Sequence, residues 1–291
     1  MKPFVITTET NSDLPIHYLE EHEIGIIPHY YEIEGELYGD GKELSVKEFY
    51  DTMRAGKMPT TMASNPAVIH DTFESYIKKG FDILHISFSS ALSGGYNNIC
   101  VGARDLMEEY PEAKILVYDT LNVSIGEGLA IIKAVKLKEE GKTIEEVFDW
   151  LKEHRQEFCV RFTVDDLFHL QRGGRLSKTS AVVGTMINIK PILRVDEKGT
   201  LVATQKTRGR KKSLVTLVDL MYEAMGHYRD ENDPIGVVHG DTKEEAEFVA
   251  SLIREKLGKK DREIIITPVG PSIGAHSGPG AIGICFTGEI R

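Results

Sequence analysis

The stretch Phe81-Asp-Ile-Leu-His-Ile-Ser87 runs into Ser89-Ser-Ala-Leu-Ser-Gly-Gly95 and then into a helix-compatible segment from about Tyr96 to Glu109. The first piece is a short apolar run and reads as a buried strand. The second is a loop of hydroxyls and glycines that opens a helix. This strand–loop–helix unit recurs on both sides. Downstream, Lys114-Ile-Leu-Val-Tyr118 is a strand, followed by a loop at Asp119-Thr120 and a helix near residues 127–140. Upstream, Phe4-Val-Ile-Thr7 is a strand and Asn11-Ser-Asp-Leu-Pro15 supplies caps and a first-turn proline for a helix to about Glu23. Ile24-Gly-Ile-Ile27 follows as a second strand. Such alternation predicts an α/β fold with a mainly parallel, doubly wound sheet, in which ligands lie beyond the C-terminal strand ends.

Between these units, Tyr30 to Lys42 carries Gly35, Gly39 and Gly41 and predicts a small β-hairpin, an insertion near 28–45. Ser45-Val-Lys-Glu48 and Thr143-Ile-Glu-Glu146 fit capping boxes, opening helices to about Ala55 and Phe158. Lys57 to Pro66 reads as a loop, and Ala67 to Lys79 as a helix. The rhythm then changes. A strand at Val160–Val164, short helices at Asp165–Gln171 and Ser177–Ile187, and a hairpin of Pro191–Val195 with Thr200–Thr207 come first. Helices at Lys211–Arg229 and Lys243–Leu257 and strands at Gly236–His239 and Glu263–Thr267 complete the pattern. This predicts an α+β domain with a mainly antiparallel sheet over 159–291, following an α/β domain over 1–158. The 270–291 tail is a candidate to pack back on the first domain.

The chain has 291 residues, a formal net charge of −10 and 41% hydrophobic residues. The acidic balance argues against nucleic-acid binding, which needs a basic footprint. No apolar run is long enough to span a bilayer, so membrane contact is at most transient. The N-terminus lacks a signal-peptide core. Cys100, Cys159 and Cys285 are scattered among apolar residues, read as buried free thiols, and fit a reducing cytoplasm. No zinc-like spacing, Walker A loop or Gly-x-Gly-x-x-Gly helix opening is present, so neither metal nor cofactor is expected.

Five places carry chemistry. Ser93 and Gly94, in the loop opening the 96–109 helix, have the context of an anion site, with simple N-capping as the other reading. Thr60-Thr61 precedes a second helix start, where hydroxyls also serve as turn formers. Arg172-Gly-Gly-Arg175 places two guanidiniums around a turn, free to take an anion or to pair with Asp165 and Asp166. Lys206-Thr-Arg-Gly-Arg-Lys-Lys212, with Arg208 and Arg210, opposes the dipole of the helix it precedes, which suggests an anionic partner beside the usual solvated face. Gly270-Pro-Ser-Ile-Gly-Ala-His-Ser-Gly-Pro-Gly280 holds His276. Its four glycines and two prolines exclude a regular helix, leaving His276 on a flexible loop. A Ser93–His276–acid triad is conceivable, but no nucleophile elbow is present: Gly270-Pro-Ser-Ile-Gly274 neither follows a strand directly nor opens a helix.

These loops, taken together, resemble the DegV family, the bacterial fatty-acid-binding proteins known as FakB. The resemblance rests on Ser89–Gly94, Val164-Asp-Asp-Leu167, Arg172-Gly-Gly-Arg-Leu-Ser177, Ile189-Lys-Pro-Ile-Leu193 and Gly274–Gly280 in order. It implies a two-domain DegV-like fold with a long-chain fatty acid in a tunnel between the domains. It further implies that Thr61, Ser93, Gly94 and His276 hold the carboxylate. Arg175 and one of Arg208 or Arg210, with Arg172 nearby, would face the partner or a phosphate at the tunnel mouth. The partner implied is a FakA-type, ATP-dependent fatty-acid kinase that makes an acyl-phosphate for phospholipid synthesis, so the chain itself is not an enzyme and has no catalytic residue. The sequence departs from the family at Thr61-Met-Ala-Ser64, where Thr-Ser-Gln-Pro is frequent, and at Gly95, where Thr is common. Two other classes remain: a serine-dependent lipid or ester hydrolase, and a lipid-sensing regulatory module.

Overall fold

Aliphatic and β-branched runs of five or six residues become strands, and those buried on both faces sit at the centres of sheets. The computed structural model describes residues 2–176, 188–289 and 291. The helix expected over Ser177–Ile187 lies outside the described residues. In chain order the first half runs β1 (Phe4–Glu9), α1 (Ile16–Glu21), β2 (Gly25–Ile27), β3 (Tyr30–Ile33), β4 (Glu36–Tyr38), α2 (Val46–Arg54) and β5 (Thr60–Met62). It continues with α3 (Pro66–Ile77), β6 (Asp82–Ser87), α4 (Gly95–Glu109), β7 (Ile115–Asp119), α5 (Ile125–Glu139) and α6 (Ile144–Glu153). The second half runs β8 (Phe158–Thr163), α7 (Phe168–Arg172), β9 (Ile189–Val195), β10 (Leu201–Arg208), α8 (Arg210–Met225) and β11 (Ile235–His239). It ends with α9 (Lys243–Leu257), β12 (Ile264–Pro268), α10 (Pro271–Ser277) and β13 (Ile282–Thr287).

The first sheet has the order β2-β1-β6-β7 and is parallel throughout. The second has the order β10-β9-β8-β13-β11-β12, antiparallel except for the β11–β12 pair. The mixed α/β fold, one sheet parallel and the other mainly antiparallel, is as the pattern implies. Helix α5 lies between the sheets. Its residues Ile125 to Ile131 are all buried, which is the expectation for a helix apolar all round. The largest apolar cluster draws on both sheets and on α5. Both capping boxes form, Ser45 with Glu48 and Thr143 with Glu146.

Four local expectations are corrected. Gly270–Gly280 holds a helix, α10, so Gly270–Gly274 does open a helix, two residues after β12, and the expectation fails because the composition rule treats every Pro and Gly as helix interior. Pro271 occupies the first turn, where its missing N–H costs nothing. Gly278, at φ 77°, ends the helix in a backbone region natural to glycine. Thr60–Met62 is a strand within the expected loop, added antiparallel to β3 of the hairpin. Helix α6 ends at Glu153, and a 3-10 turn at Arg155–Glu157 leads into β8. Cys159 and Cys285 are buried, but Cys100 is partly exposed.

Candidate ligand-binding site

A cavity of about 1070 Å³, counting its open mouth, lies where the C-terminal ends of the first sheet meet the cavity-facing side of the second. Val123, Val160, Phe162, Val238, Val269 and Ile282 are among its apolar walls. Thr61, Ser93, Gly94, Arg175 and His276 all line it. Every residue inferred to hold a carboxylate therefore lines one cavity, although the residues come from three separate parts of the chain.

The turn Arg172–Arg175 gathers them. The Arg172 guanidinium donates to the carbonyls of Pro59, at 3.0 Å, and Ala275, at 3.2 Å. It thus ties the segment entering β5, which carries Thr61, to α10, which carries His276. Arg175 Nε donates to Leu92 O at 3.0 Å, next to Ser93, and its Nη1 donates to Gly173 O. The alternative partners for Arg172, Asp165 and Asp166, are used elsewhere: Asp165 pairs with Lys190 at 2.7 Å and Asp166 accepts from the amide of Phe168. Arg172 through Nη2 and Arg175 through Nε thus tie together the loops that carry the polar groups.

Thr61 Oγ1 and His276 Nε2 lie 2.8 Å apart. Burial, with Arg175 and Arg172 nearby, pushes the His276 pKa down to about 4, so its imidazole is neutral at pH 7. A neutral imidazole has one N–H. His276 Nδ1 is buried, has no hydrogen-bond partner and faces Gly173, where a Cβ would come within 2.2 Å of it. A buried unpaired acceptor is tolerated better than an orphaned N–H, which places the proton on Nε2. Nε2–H then donates to Thr61 Oγ1 and leaves the threonine proton for an anion in the cavity. Ser93 behaves alike: its Oγ accepts from the amide of Gly95 at 3.1 Å, so its own proton is unspent. The capping and ligand readings of Ser93 are therefore compatible. A serine–histidine hydrolase would need Ser93 Oγ on an imidazole nitrogen, but Nε2 is engaged by Thr61 and Nδ1 is covered by Gly173.

Beneath the site, Glu9 is fully buried. Burial pushes its pKa up, but His29 and His85 outweigh this and hold it below the ordinary carboxylate range. It accepts from the amide of Phe88 at 2.9 Å and from Ser87 Oγ at 3.1 Å, and lies 3.2 Å from His29 Nε2. Ser64, in the segment that departs from the family pattern, is buried 3.1 Å from the same His29 nitrogen, while Met62 and Ala63 line the cavity. Burial and the charge on Glu9 push the carboxyl pKa of neighbouring Glu127 well above the ordinary range.

The basic run divides. Arg208 is exposed at the end of β10 and has no ion pair among the described residues. Arg210 grips Glu245 through both carboxylate oxygens and donates to Gly280 O at 2.6 Å, next to the start of β13. Neither lines the cavity. Sequence reasoning missed Asn11 and His29, which do line it, and the spacing role of Gly173. Asn11 reads only as part of a helix cap, and His29 only as part of the hairpin insertion. Gly173 looked like a flexible turn residue, whereas its φ is an ordinary −72° and its use is to leave room for the imidazole. Among the described residues no group of histidines, cysteines or carboxylates could hold a metal ion, and no helix is long and apolar enough to cross a membrane.

Comparison with known proteins gives one consistent answer. The sequence model of the DegV family, whose members are described as uncharacterised proteins, matches residues 3–289. A DegV domain-containing protein of Clostridium perfringens is 39% identical over 293 residues, covering 100% of this chain and 99% of the relative. Two solved structures superpose closely. One is a fatty-acid-binding DegV family protein from Streptococcus agalactiae, with TM-score 0.86, 28% identity and 99% of each chain covered. The other is DegV, a fatty-acid-binding protein from Bacillus subtilis, with TM-score 0.84, 28% identity, and 99% of this chain and 100% of that one covered.

Proposed function

This chain belongs to the DegV family, and we propose that it binds a long-chain fatty acid in the cavity and presents the carboxylate to a separate kinase. The observation that carries the reading is the Arg172–Arg175 turn, which ties together the loops that bring Thr61, Ser93 and His276 to one mainly apolar space. Burying a methylene is worth ~0.8 kcal/mol, so a long acyl chain gains on the order of 10 kcal/mol before the costs of association. A carboxylate taken from water without donors would cancel much of that gain. The unspent hydroxyl protons of Thr61 and Ser93 and the amide of Gly94, at the N-cap of α4, would meet the requirement. The fatty-acid binding of the Streptococcus agalactiae and Bacillus subtilis proteins of like structure supports the same ligand class.

Catalysis is assigned to a FakA-type, ATP-dependent kinase acting in the cytoplasm. The acyl-phosphate product carries more negative charge than the acid, and Arg175, with exposed Arg208 outside the cavity, would meet that charge. Organic extraction of the purified protein followed by mass spectrometry tests the binding step. Long-chain fatty acid in near-stoichiometric amount is expected; protein without lipid and without measurable affinity for such acids would sink the reading. With kinase and ATP supplied, Arg175→Ala is expected to lower acyl-phosphate formation from bound acid.

A further inference from the structure

Gly283 stands in the middle of β13, paired with Val238 of β11 on one side and Phe162 of β8 on the other. Glycine weakens a strand interior, so its presence in the centre of a six-stranded sheet calls for a reason. The reason is not backbone conformation, because Gly283 is not among the residues with positive φ. It is space. A Cβ at Gly283 would come within 2.9 Å of Val238 Cγ2 and 3.4 Å of Phe162 Cβ, and all three residues line the cavity. Side chains two apart on a strand share a face. Ala281 and Cys285, flanking Gly283 on that face, also line the cavity. Ala281, just before β13, and Gly283 and Cys285 of β13 therefore offer the cavity a run of small groups at successive steps of ~7 Å, beside Ile282. The strand follows α10 through the Gly278–Gly280 turn, so the run leads away from the helix that carries His276.

We infer that Gly283 sets the bore of the cavity part-way along its length and so decides which acyl chains fit. The inference rests on the fatty-acid reading and adds the residue that limits chain length. A chain that ends short of Gly283 does not meet a new methyl there. A longer one must pass it, and the Val238 methyl that has to give way faces the same space.

Delipidated wild-type protein and Gly283→Ala are compared for affinity toward decanoate and octadecanoate by displacement of a fluorescent fatty acid. One methylene in an apolar pocket is worth about tenfold or more, so octadecanoate is expected to weaken by at least about that factor while decanoate changes by less than about twofold. Removing the opposing methyls in Gly283→Ala/Val238→Ala is expected to restore octadecanoate binding, a non-additive result. Val238→Ile narrows the same point from the neighbouring strand and serves if Gly283→Ala does not fold, as judged by its melting curve. Equal weakening of both acids, no weakening of octadecanoate, or no rescue in the double variant would overturn the inference. Wild-type protein that binds neither acid would instead overturn the fatty-acid reading beneath it.

Discussion

His276 works as a support as much as a contact. Its Nε2 side holds Thr61 and its Nδ1 side rests on Gly173, so the ring is fixed between a strand and a turn. Two adjacent glycines then have different tasks, and single substitutions separate them. At Gly173 a methyl would meet the imidazole at 2.2 Å, whereas at Gly174 nothing lies within 4 Å but φ is 71°. Gly173→Ala is expected to displace the ring and free Thr61, weakening fatty-acid affinity about 10- to 100-fold, as for loss of a hydrogen bond to a charged group. Gly174→Ala is expected to leave affinity near wild type and lower stability by about 1 kcal/mol through left-handed backbone strain. Displacement titrations and melting curves on both variants test this. Equal affinity loss in the two would show that the turn's shape matters and the ring's seat does not.

At the scale of elements, α10 is the part whose identity was least legible and whose two ends titrate. The alternating strands and helices of the first half could be read because each apolar run is long enough to show its type. β5 could not, being three residues whose only reason to be extended is β3 some thirty residues upstream. α10 was hidden because Gly270, Gly278 and Gly280 lie outside it, and its one interior glycine, Gly274, is explained only by Phe49 and Tyr50 packed against it. The polar half of the site was legible, since Thr, Ser, Arg and His announce their chemistry. Gly173 and Gly283 were not, because a missing side chain has meaning only beside what faces it. At the start of α10, Asp13 accepts from the amide of Gly270 at 2.9 Å and from Ser124, and burial raises its pKa to about 7. Because the folded value exceeds the ordinary 3.8, its stability contribution is complete below about pH 4 and is lost as pH rises through 7. His276, near the other end, is depressed from 6.5 to about 4, so its contribution is complete above pH 6.5 and is lost as pH falls toward 4. The two oppose each other in wild type. Relative to wild type, Asp13→Asn is expected to gain stability as pH rises from 4 to 7, and His276→Gln as pH falls from 6.5 to 4. Each difference has a steepest slope of up to ~1.4 kcal/mol per pH unit. Melting temperatures across pH 4–8 test both signs; curves parallel to wild type would remove either group from the account.

For the whole molecule, the cavity is where the two sheets share their walls. Asn11, Thr61, Ser93 and Val123 come from the first half of the chain, and Val160, Val238 and His276 from the second. A ligand that fills the space binds only the assembled arrangement, so it stabilises by mass action. At a hundredfold excess over Kd the gain is about 2.7 kcal/mol, which for a chain of this size raises the melting temperature by roughly 5 °C. Chain and head group contribute separately and can be told apart by three compounds. Octadecanoate engages both the apolar walls and the Thr61, Ser93 and His276 end. Its methyl ester keeps the apolar contacts but offers no anion to the donors. Butyrate keeps the anion but buries too few methylenes, at ~0.8 kcal/mol each, to offset the cost of association. Melting of delipidated protein is therefore expected to rise most with octadecanoate, less with the ester at equal concentration, and not at all with butyrate. Thr61→Val should bring the acid down toward the ester while leaving the ester's own shift unchanged. A butyrate shift equal to that of octadecanoate would make the site a small-anion pocket and the apolar walls irrelevant. An ester shift equal to the acid's would remove the carboxylate clamp.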